Sequence, residues 1–319
     1  MNNAVERTEA TGWPTLSVVM PALNAAATIG EALDSLAGQV DGLEAIIADG
    51  GSTDGTVAIA EKYPFARVLS APGSSIYEAL NLALAAARAP VVAWLNVDDL
   101  FLPGMLATAL DALTRTPEAD IVRGRPQFMR SDEAGWQAHD RPIEALAAGA
   151  LTLPLITRGP LAINSMVFRR ELLTRIGPFD GSLRLAADRE WMLRAWRAGT
   201  KILELDRPLY CYRVHRGSST LDPGRRNHLR ARQEHAAILR RALPAGMRLD
   251  TSDPVRIELR RWHAVETALR MRATLAAGGW REAARLWAEA GRSDLAWPLI
   301  LVGQVGMLLR RRWSGRRLR

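Results

Sequence analysis

Three short stretches of this chain carry carboxylates in settings where they could do chemistry. In Glu44–Thr56, Asp49 ends an apolar strand and opens an Asp-Gly-Gly-Ser-Thr-Asp-Gly turn. Open α/β sheets bind ligands at the carboxyl ends of their strands. Glycines such as Gly51 let the backbone approach a ligand closely or take positive φ. In Trp94-Leu95-Asn96-Val97-Asp98-Asp99, two adjacent carboxylates follow a second apolar strand. Mg2+ or Mn2+ takes oxygen ligands there, needing only one or two protein carboxylates and bridging to phosphates. The alternative is that Asp98 or Asp99 caps a helix beginning around Pro103. In Leu185–Arg194, Asp188 stands at a helix start. It either serves the helix dipole alone or is held as a general base facing the first two sites.

The elements that would position these groups follow from apolar periodicity. Leu16–Met20, Ala45–Ala48, Arg67–Ser70 and Val91–Leu95 read as strands. Between them, Thr28–Gly38, Thr56–Lys62 and Ser74–Arg88 read as helices, with Thr28 and Glu31 at capping-box spacing. Four such units imply a parallel sheet covered on both faces. Further on, Ala119–Gly124 and Ile163–Phe168 read as strands and Asp188–Ala198 as a helix. Strands over Lys201–Leu205 and Leu209–Arg213 follow, and the turn Leu221-Asp222-Pro223-Gly224 marks a boundary. The expected organisation is a flexible stretch 1–14, a catalytic α/β domain 15–222 and a basic helical extension 223–319.

Charge divides the chain at the same place. Residues 1–224 carry 21 Lys and Arg against 26 Asp and Glu, a net of −5, whereas residues 225–319 carry 21 against 8, a net of +13. The first part has the character of an enzyme body and the second of an anchoring surface. One cysteine, Cys211, excludes an internal disulfide framework and suits a reducing compartment. The polar, acidic N-terminus is unlike a secretory signal, and no apolar run reaches the roughly 18–20 residues of a spanning helix. These features set an expectation of a cytoplasmic protein.

Six segments occur in a meaningful order: Ser17-Val18-Val19-Met20-Pro21-Ala22-Leu23-Asn24; the Asp49 turn; Ile76-Tyr77-Glu78-Ala79-Leu80-Asn81; Asn96-Val97-Asp98; Gly177-Pro178-Phe179-Asp180 with Asp188; and Tyr212-Arg213-Val214-His215-Arg216-Gly217-Ser218. Over about residues 15–220 they resemble the family 2 glycosyltransferases of the GT-A fold. The resemblance implies an α/β, Rossmann-like, mostly parallel sheet with helices on both faces, followed here by the C-terminal helical extension. It implies inverting transfer of a sugar from a nucleotide-diphosphate sugar to a hydroxyl acceptor. Donor-binding roles would fall to Pro21, Ala22, Leu23, Asn24, Asp49, Gly51, Ser52, Tyr77, Asn81, Asn96, Val97 and Asp98. The metal would rest on Asp98, with Asp99 and His215 as further candidates, and Asp188 would be the catalytic base. Glu190 and Arg213 would serve the acceptor or the diphosphate, unless Arg213 and His215 are simply strand-end residues. Leu23 replaces the family's usual aromatic, Asn96 its first metal-motif acid, and Gly73-Ser74-Ser75 a common Asp-Lys-Gly, which leaves the sugar open.

The extension ends in an uncharged run, Leu295–Leu309, followed by Arg-Arg-Arg-Trp-Ser-Gly-Arg-Arg-Leu-Arg. Fifteen residues suit an interfacial segment better than a spanning one. Trp313 suits the headgroup boundary and the arginines an anionic leaflet. The alternative is a helix packed on the catalytic domain. The reading favoured is an enzyme peripheral on the inner face of the cell membrane, acting on a glycan or lipid-linked acceptor in cell-surface polysaccharide synthesis. Nucleic acid is not an expected partner, since the acidic body would repel phosphate and no recognition motif is present. Two rival readings are a catalytically silent nucleotide-sugar-binding protein of the same fold and a nucleotidyltransferase. Against the second, Pro21–Thr28 has no basic residue.

Overall fold

The computed structural model describes residues 13–132, 135–138, 151–158, 162–215, 228–242, 254–276 and 278–293. In chain order, β1 (Leu16–Ala22), α1 (Ile29–Asp34), β2 (Leu43–Asp49), α2 (Thr56–Ala60), β3 (Ala66–Ser70), α3 (Ile76–Ala86) and β4 (Val91–Trp94) alternate strand with helix. Then come β5 (Leu100–Phe101), α4 (Met105–Arg115), β6 (Ile121–Asp132), β7 (Gly135–Ala138) and α5 (Leu153–Arg158). They are followed by β8 (Met166–Arg169), α6 (Glu171–Ile176), α7 (Ala187–Arg197) and β9 (Ile202–Val214). The helices α8 (His228–Ala242), α9 (Pro254–Ala276) and α10 (Trp280–Ser293) complete the described chain.

The strands form one mixed sheet in the order β3-β2-β1-β4-β8-β6-β9-β5, with β7 paired to β6. β3, β2, β1 and β4 are parallel to one another. β8 lies antiparallel between β4 and β6. All of β1 is buried, as a strand covered on both faces requires. One face packs Val18, Met20, Ala93, Leu95, Val122 and Val167 beneath α1 and α4. The alternate residues turn the other way, where Trp94 meets Tyr77 of α3 and Phe168 meets Trp191 of α7. The strand order reverses between β1 and β4, so their carboxyl ends open the crevice in which such sheets bind ligands.

The chain divides into two compact units at Pro223/Gly224, and the short helix α5 belongs with the second. In that second unit Thr157 of α5 donates to Glu258 of α9 at 3.0 Å, and Arg261 pairs with the same carboxylate at 2.6 Å. Among the described residues no helix is long and apolar enough to cross a membrane. The run Leu295–Leu309 and its arginine-rich end, the stretch 1–12 and Arg216–Ser218 lie outside the described residues.

Two local expectations change. The strands expected over Ala119–Gly124, Lys201–Leu205 and Leu209–Arg213 are longer, since β6 and β9 run past Gly124 and Pro208, paired in parallel with register shifts around Arg125. A Cβ on Gly124 would lie 2.3 Å from the Leu209 Cβ, so glycine there lets two backbones close up at a bulge. Bulges also tolerate proline, which explains Pro126 and Pro208. The capping box expected at Thr28 and Glu31 is not formed, because Glu31 pairs with Arg213 instead. The capping box that does form is Ser75 with Glu78, at the start of α3.

Candidate active site

The mouth of the crevice is built by clipping two loops together. Beyond β1, Asn24 takes φ 49°, a left-handed conformation that asparagine tolerates. Its backbone N–H donates to Ser52 Oγ at 2.8 Å and its side-chain oxygen accepts from Thr53 N at 2.9 Å. Ala25 N donates to Thr56 Oγ1 and Ala26 N to Asp54 Oδ2. Asp49, at the end of β2 and directly opposite Ala22 of β1, is buried. Its Oδ2 accepts from the backbone N–H of Gly51 at 3.0 Å and of Ser52 at 2.9 Å, and its Oδ1 from the Ser52 hydroxyl. Asp49 therefore locks its own loop first. Gly51, at φ 101°, gives that turn its shape.

At the end of β4 the two adjacent aspartates have separate surroundings. Asp98 is about one-third exposed, and its Oδ2 lies 2.9 Å from His215 Nε2, just past β9. Asp99 is only 1% exposed. Its Oδ1 accepts from Arg213 N at 2.7 Å, and its Oδ2 from Tyr210 OH at 2.6 Å and Asn96 Nδ2 at 3.0 Å. Burial, and then the neighbouring Asp98 charge, push the Asp99 carboxyl up to about 7. The same desolvation, reinforced by Asp99, raises the Tyr210 hydroxyl well above its ordinary value. Tyr210 also accepts from Asn96 N and Asn164 Nδ2, both at 3.3 Å. Asp99 is thus a pin between the β4 loop and β9, and it sets Asp98 opposite His215. Such a satisfied buried network fixes geometry.

Asp188 stands in the first turn of α7, partly exposed. Its Oδ1 accepts from Arg189 N at 2.8 Å and reaches Tyr77 OH at 3.5 Å. Burial raises its carboxyl above the ordinary value, against the pull of the Arg189 charge. An aromatic stack carries it. Tyr77 stacks on Phe179 at 5.9 Å, Phe179 stacks on Trp191 at 5.3 Å, and Trp94 meets both Tyr77 and Phe179 edge-on. Trp191 Nε1 donates to Gly177 O at 3.1 Å. Because Trp94 ends β4, this stack ties the start of α7 to the strand that delivers Asn96 and Asp98.

Several residues expected to bind ligand turn out to hold the frame. Asn81 makes two reciprocal bonds with the Phe179 backbone, at 2.8 and 2.9 Å, and so positions the aromatic stack. Glu190 is engaged by Arg194, which also donates to Ile176 O and Pro178 O, so this pair clamps the Gly177-Pro178 turn. Arg213 is 5% exposed and pairs with Glu31. Asp99 likewise has its oxygens engaged within the protein and is not a free metal ligand. Tyr77 is buried and reaches the site only through its hydroxyl. Pro21 and Ala22 are buried in the strand and Val97 packs on the core, whereas Leu23 is 58% exposed at the mouth. Tyr210, Asn164, Trp94 and Trp191 do positional work that the sequence reading missed. No spacing rule marks them, since each acts across a long sequence separation.

A divalent cation needs oxygen-rich ligands with room left for substrate phosphates and water. Asp98 and His215 offer a carboxylate and an imidazole in direct contact with each other at 2.9 Å, one oxygen of the carboxylate being left over. The buried Asn96 Oδ1 beside them has no hydrogen-bond partner. Among the described residues no cluster of three or more His, Cys, Asp or Glu could hold a metal. Two protein ligands with donor phosphates and water filling the rest is an arrangement that suits Mg2+ or Mn2+. The donor set fits such an ion. Cys211 takes no part, being buried with its thiol pushed up to about 11 by desolvation.

Residues 17–177, half of the chain, match the sequence profile described as Glycosyl transferase family 2. The PGL/p-HBAD biosynthesis glycosyltransferase of Mycobacterium bovis (strain BCG / Pasteur 1173P2) is 30% identical over 193 residues, which is 57% of this chain and 70% of that protein. The uncharacterized glycosyltransferase EpsJ of Bacillus subtilis (strain 168) is 28% identical over 225 residues, 66% of this chain and 64% of its own length. Among solved structures, S. aureus TarS 1-349 superposes with a TM-score of 0.59 at 20% identity, covering 86% of this chain and 78% of that one. TarS 1-349 has also been solved in complex with UDP-GlcNAc. The mannosyltransferase PcManGT from Pyrobaculum calidifontis, in complex with GDP-Man and Mn2+, superposes with a TM-score of 0.56 at 20% identity, covering 96% and 84%. At such identities these two structures establish the fold, a GT-A-type α/β sheet.

Proposed function

We propose that this chain, which belongs to glycosyl transferase family 2 and is a glycosyltransferase, moves a sugar with inversion from a nucleoside-diphosphate donor to an acceptor hydroxyl. The observation that carries this reading is the mounting of Asp188: a carboxylate of raised proton affinity, held by Tyr77 and the Phe179–Trp191 stack on the same frame as Asn96 and Asp98. A carboxylate of raised proton affinity is a stronger base toward a hydroxyl proton than an ordinary one. The donor would lie along the carboxyl ends of β1, β2 and β4, with its nucleoside against the Asn24–Asp49–Ser52 clip and the exposed Leu23. Asp98 and His215 would hold Mg2+ or Mn2+, which supplies charge neutralisation to the leaving diphosphate. Neighbours of this fold have been solved with UDP-GlcNAc and with GDP-Man and Mn2+, and this supports the donor class.

In the reaction, Asp188 accepts the acceptor hydroxyl proton as that oxygen attacks the anomeric carbon. The bond from that carbon to the diphosphate oxygen breaks on the opposite face, with its electron pair leaving on the nucleoside diphosphate. Arg189 and Tyr77 keep the carboxylate oriented. A single displacement inverts the anomeric centre, so an α-linked donor yields a β-linked product. Proton NMR of the product's anomeric coupling tests this directly, and retained configuration would overturn it. The acceptor we assign is a glycan or lipid-linked glycan of the cell surface, reached from the cytoplasmic side with the enzyme peripheral on the membrane. The net charge of +13 over residues 225–319 supports that placement.

A further inference from the structure

The second unit carries an interaction surface that the transfer chemistry does not use. Helix α10 distributes its side chains in four sectors. Ala283 and Leu286 are buried, on the side of the helix that packs with α9. Trp280 and Trp287, seven residues apart and so on one line of the helix, are 65% and 47% exposed. Ala284 lies between them and is also exposed. Next round the helix come exposed Arg281 and Arg285, and beyond them exposed Glu282 and Glu289, on the side opposite the tryptophans. The Arg281 guanidinium lies 5.2 Å from the Trp280 ring centroid, so cation and ring share one edge. Leu275, 54% exposed near the end of α9, adds a third large apolar side chain to the exposed surface of this unit.

Two exposed indoles are a costly way to face water, and large exposed apolar surface marks an interaction site. The chemistry of the rim says what kind. Indoles prefer the bilayer headgroup level, where ring and N–H are both accommodated. Arg281 beside them matches lipid phosphate, and Arg285, which pairs with Glu282 at 3.1 Å, stands between the tryptophan line and the acidic side. The whole segment 225–319 is strongly basic, and α10 leads into a fifteen-residue uncharged run followed by arginines. We propose that the Trp280–Trp287 face of α10 is a docking surface for an anionic lipid bilayer, lying in the plane of the interface. This rests on the reading above that the enzyme works at a membrane. It goes further in assigning the contact to a folded helix rather than to the terminal segment alone.

The test is co-sedimentation of the full chain with phosphatidylcholine vesicles containing 0 or about 30 mol% phosphatidylglycerol, at physiological salt. Binding to the anionic vesicles is expected to weaken about tenfold in Trp280→Ala/Trp287→Ala and to be retained in Trp280→Phe/Trp287→Phe. Arg281→Gln and Arg285→Gln each reduce anionic binding about fivefold and leave neutral vesicles unaffected. Nucleoside-diphosphate titration stays unchanged in all of them, since these side chains belong to the second unit, and the melting temperature of each is read alongside to show that it is folded. A full-length variant with Arg310, Arg311, Arg312, Arg316, Arg317 and Arg319 changed to Gln separates the two levels of the account. If it loses all binding while the tryptophan variant keeps it, the α10 assignment falls and the membrane reading stands. No binding of the wild-type chain to either vesicle overturns both. Equal binding to neutral vesicles, or tryptophan-dependent binding to an oligonucleotide or a second copy of the chain instead of lipid, overturns the anionic-bilayer assignment.

Discussion

Asp188→Asn lowers sugar transfer by about 10³-fold, the middle of the range a positioned base contributes, and leaves nucleoside-diphosphate affinity within twofold. The asparagine keeps the size of the side chain and can still meet Arg189 N and Tyr77 OH, so binding and fold persist while proton abstraction does not. Desolvation, countered by Arg189, raises this carboxyl in the folded chain. In the wild type, kcat/KM therefore rises with pH through a value above the usual carboxylate range, as the base is unmasked, and the variant lacks that limb. The stability sign follows from the same shift. A carboxyl whose folded pKa is raised favours the folded state at low pH, and that contribution is lost as pH rises through the folded pKa. At neutral pH the asparagine variant is then no less stable than the wild type. Equal loss of binding and transfer, or a melting temperature that falls with activity, would remove Asp188 from the role of base.

Asp98→Ala weakens nucleoside-diphosphate binding in Mn2+ by about tenfold or more, and leaves the weak binding measured in chelator unchanged. His215→Ala does the same, and the double variant is little worse than either single one. Two groups serving one ion are expected to be non-additive in this way. The comparison with chelator is what gives the result meaning, because Asp98 and His215 also contact each other at 2.9 Å and could orient one another without a metal. A loss of the same size with and without Mn2+ would show that they meet the diphosphate directly. Calorimetric titrations in parallel buffers distinguish the cases.

The parallel half of the fold was legible because its signals are local. Apolar runs punctuated by glycine and proline mark β1, β2 and β4, and the Asp49 turn announces the carboxyl end of a strand. The three acidic positions follow from the same logic. Where the sequence reading failed, the deciding contact spans a long stretch of chain. Glu31 is at capping-box distance from Thr28, but a buried guanidinium 182 residues away takes its carboxylate. Asp98 and Asp99 are neighbours in sequence with the same chemistry. Only the arrival of Tyr210 and Arg213 from β9 makes one an exposed candidate ligand and the other a buried pin. Gly124, Pro126 and Pro208 look like punctuation and are in fact what lets β6 and β9 bulge past each other without ending. Asn81 has donor and acceptor chemistry suited to a sugar, and spends both on the Phe179 backbone. Periodicity reports which face a residue takes. It cannot report which distant partner will satisfy a polar group once it is there.

That division explains the architecture of the site. The groups assigned to ligand are few: the Asn24–Asp49–Ser52 clip, Asp98, His215 and Asp188. The clip is held by its own hydrogen bonds, Asp98 and His215 are backed by the Asp99–Tyr210 network, and Asp188 by the Tyr77–Phe179–Trp191 stack. Supporting groups held by packing and hydrogen bonds are what keep reacting atoms in place. The reassigned residues Asn81, Glu190, Arg213 and Asp99 belong to that support.

Binding of a nucleoside diphosphate with a divalent cation at the carboxyl ends of β1, β2 and β4 is the premise of the proposed reaction. It is tested most directly by isothermal titration of the purified chain with UDP, GDP, dTDP and CMP, each with Mn2+ and with chelator. The account predicts saturable binding of one nucleoside diphosphate, at least about tenfold tighter with Mn2+, and lost in Asp98→Ala. Absence of binding by all four, or binding indifferent both to the cation and to Asp98, would contradict it.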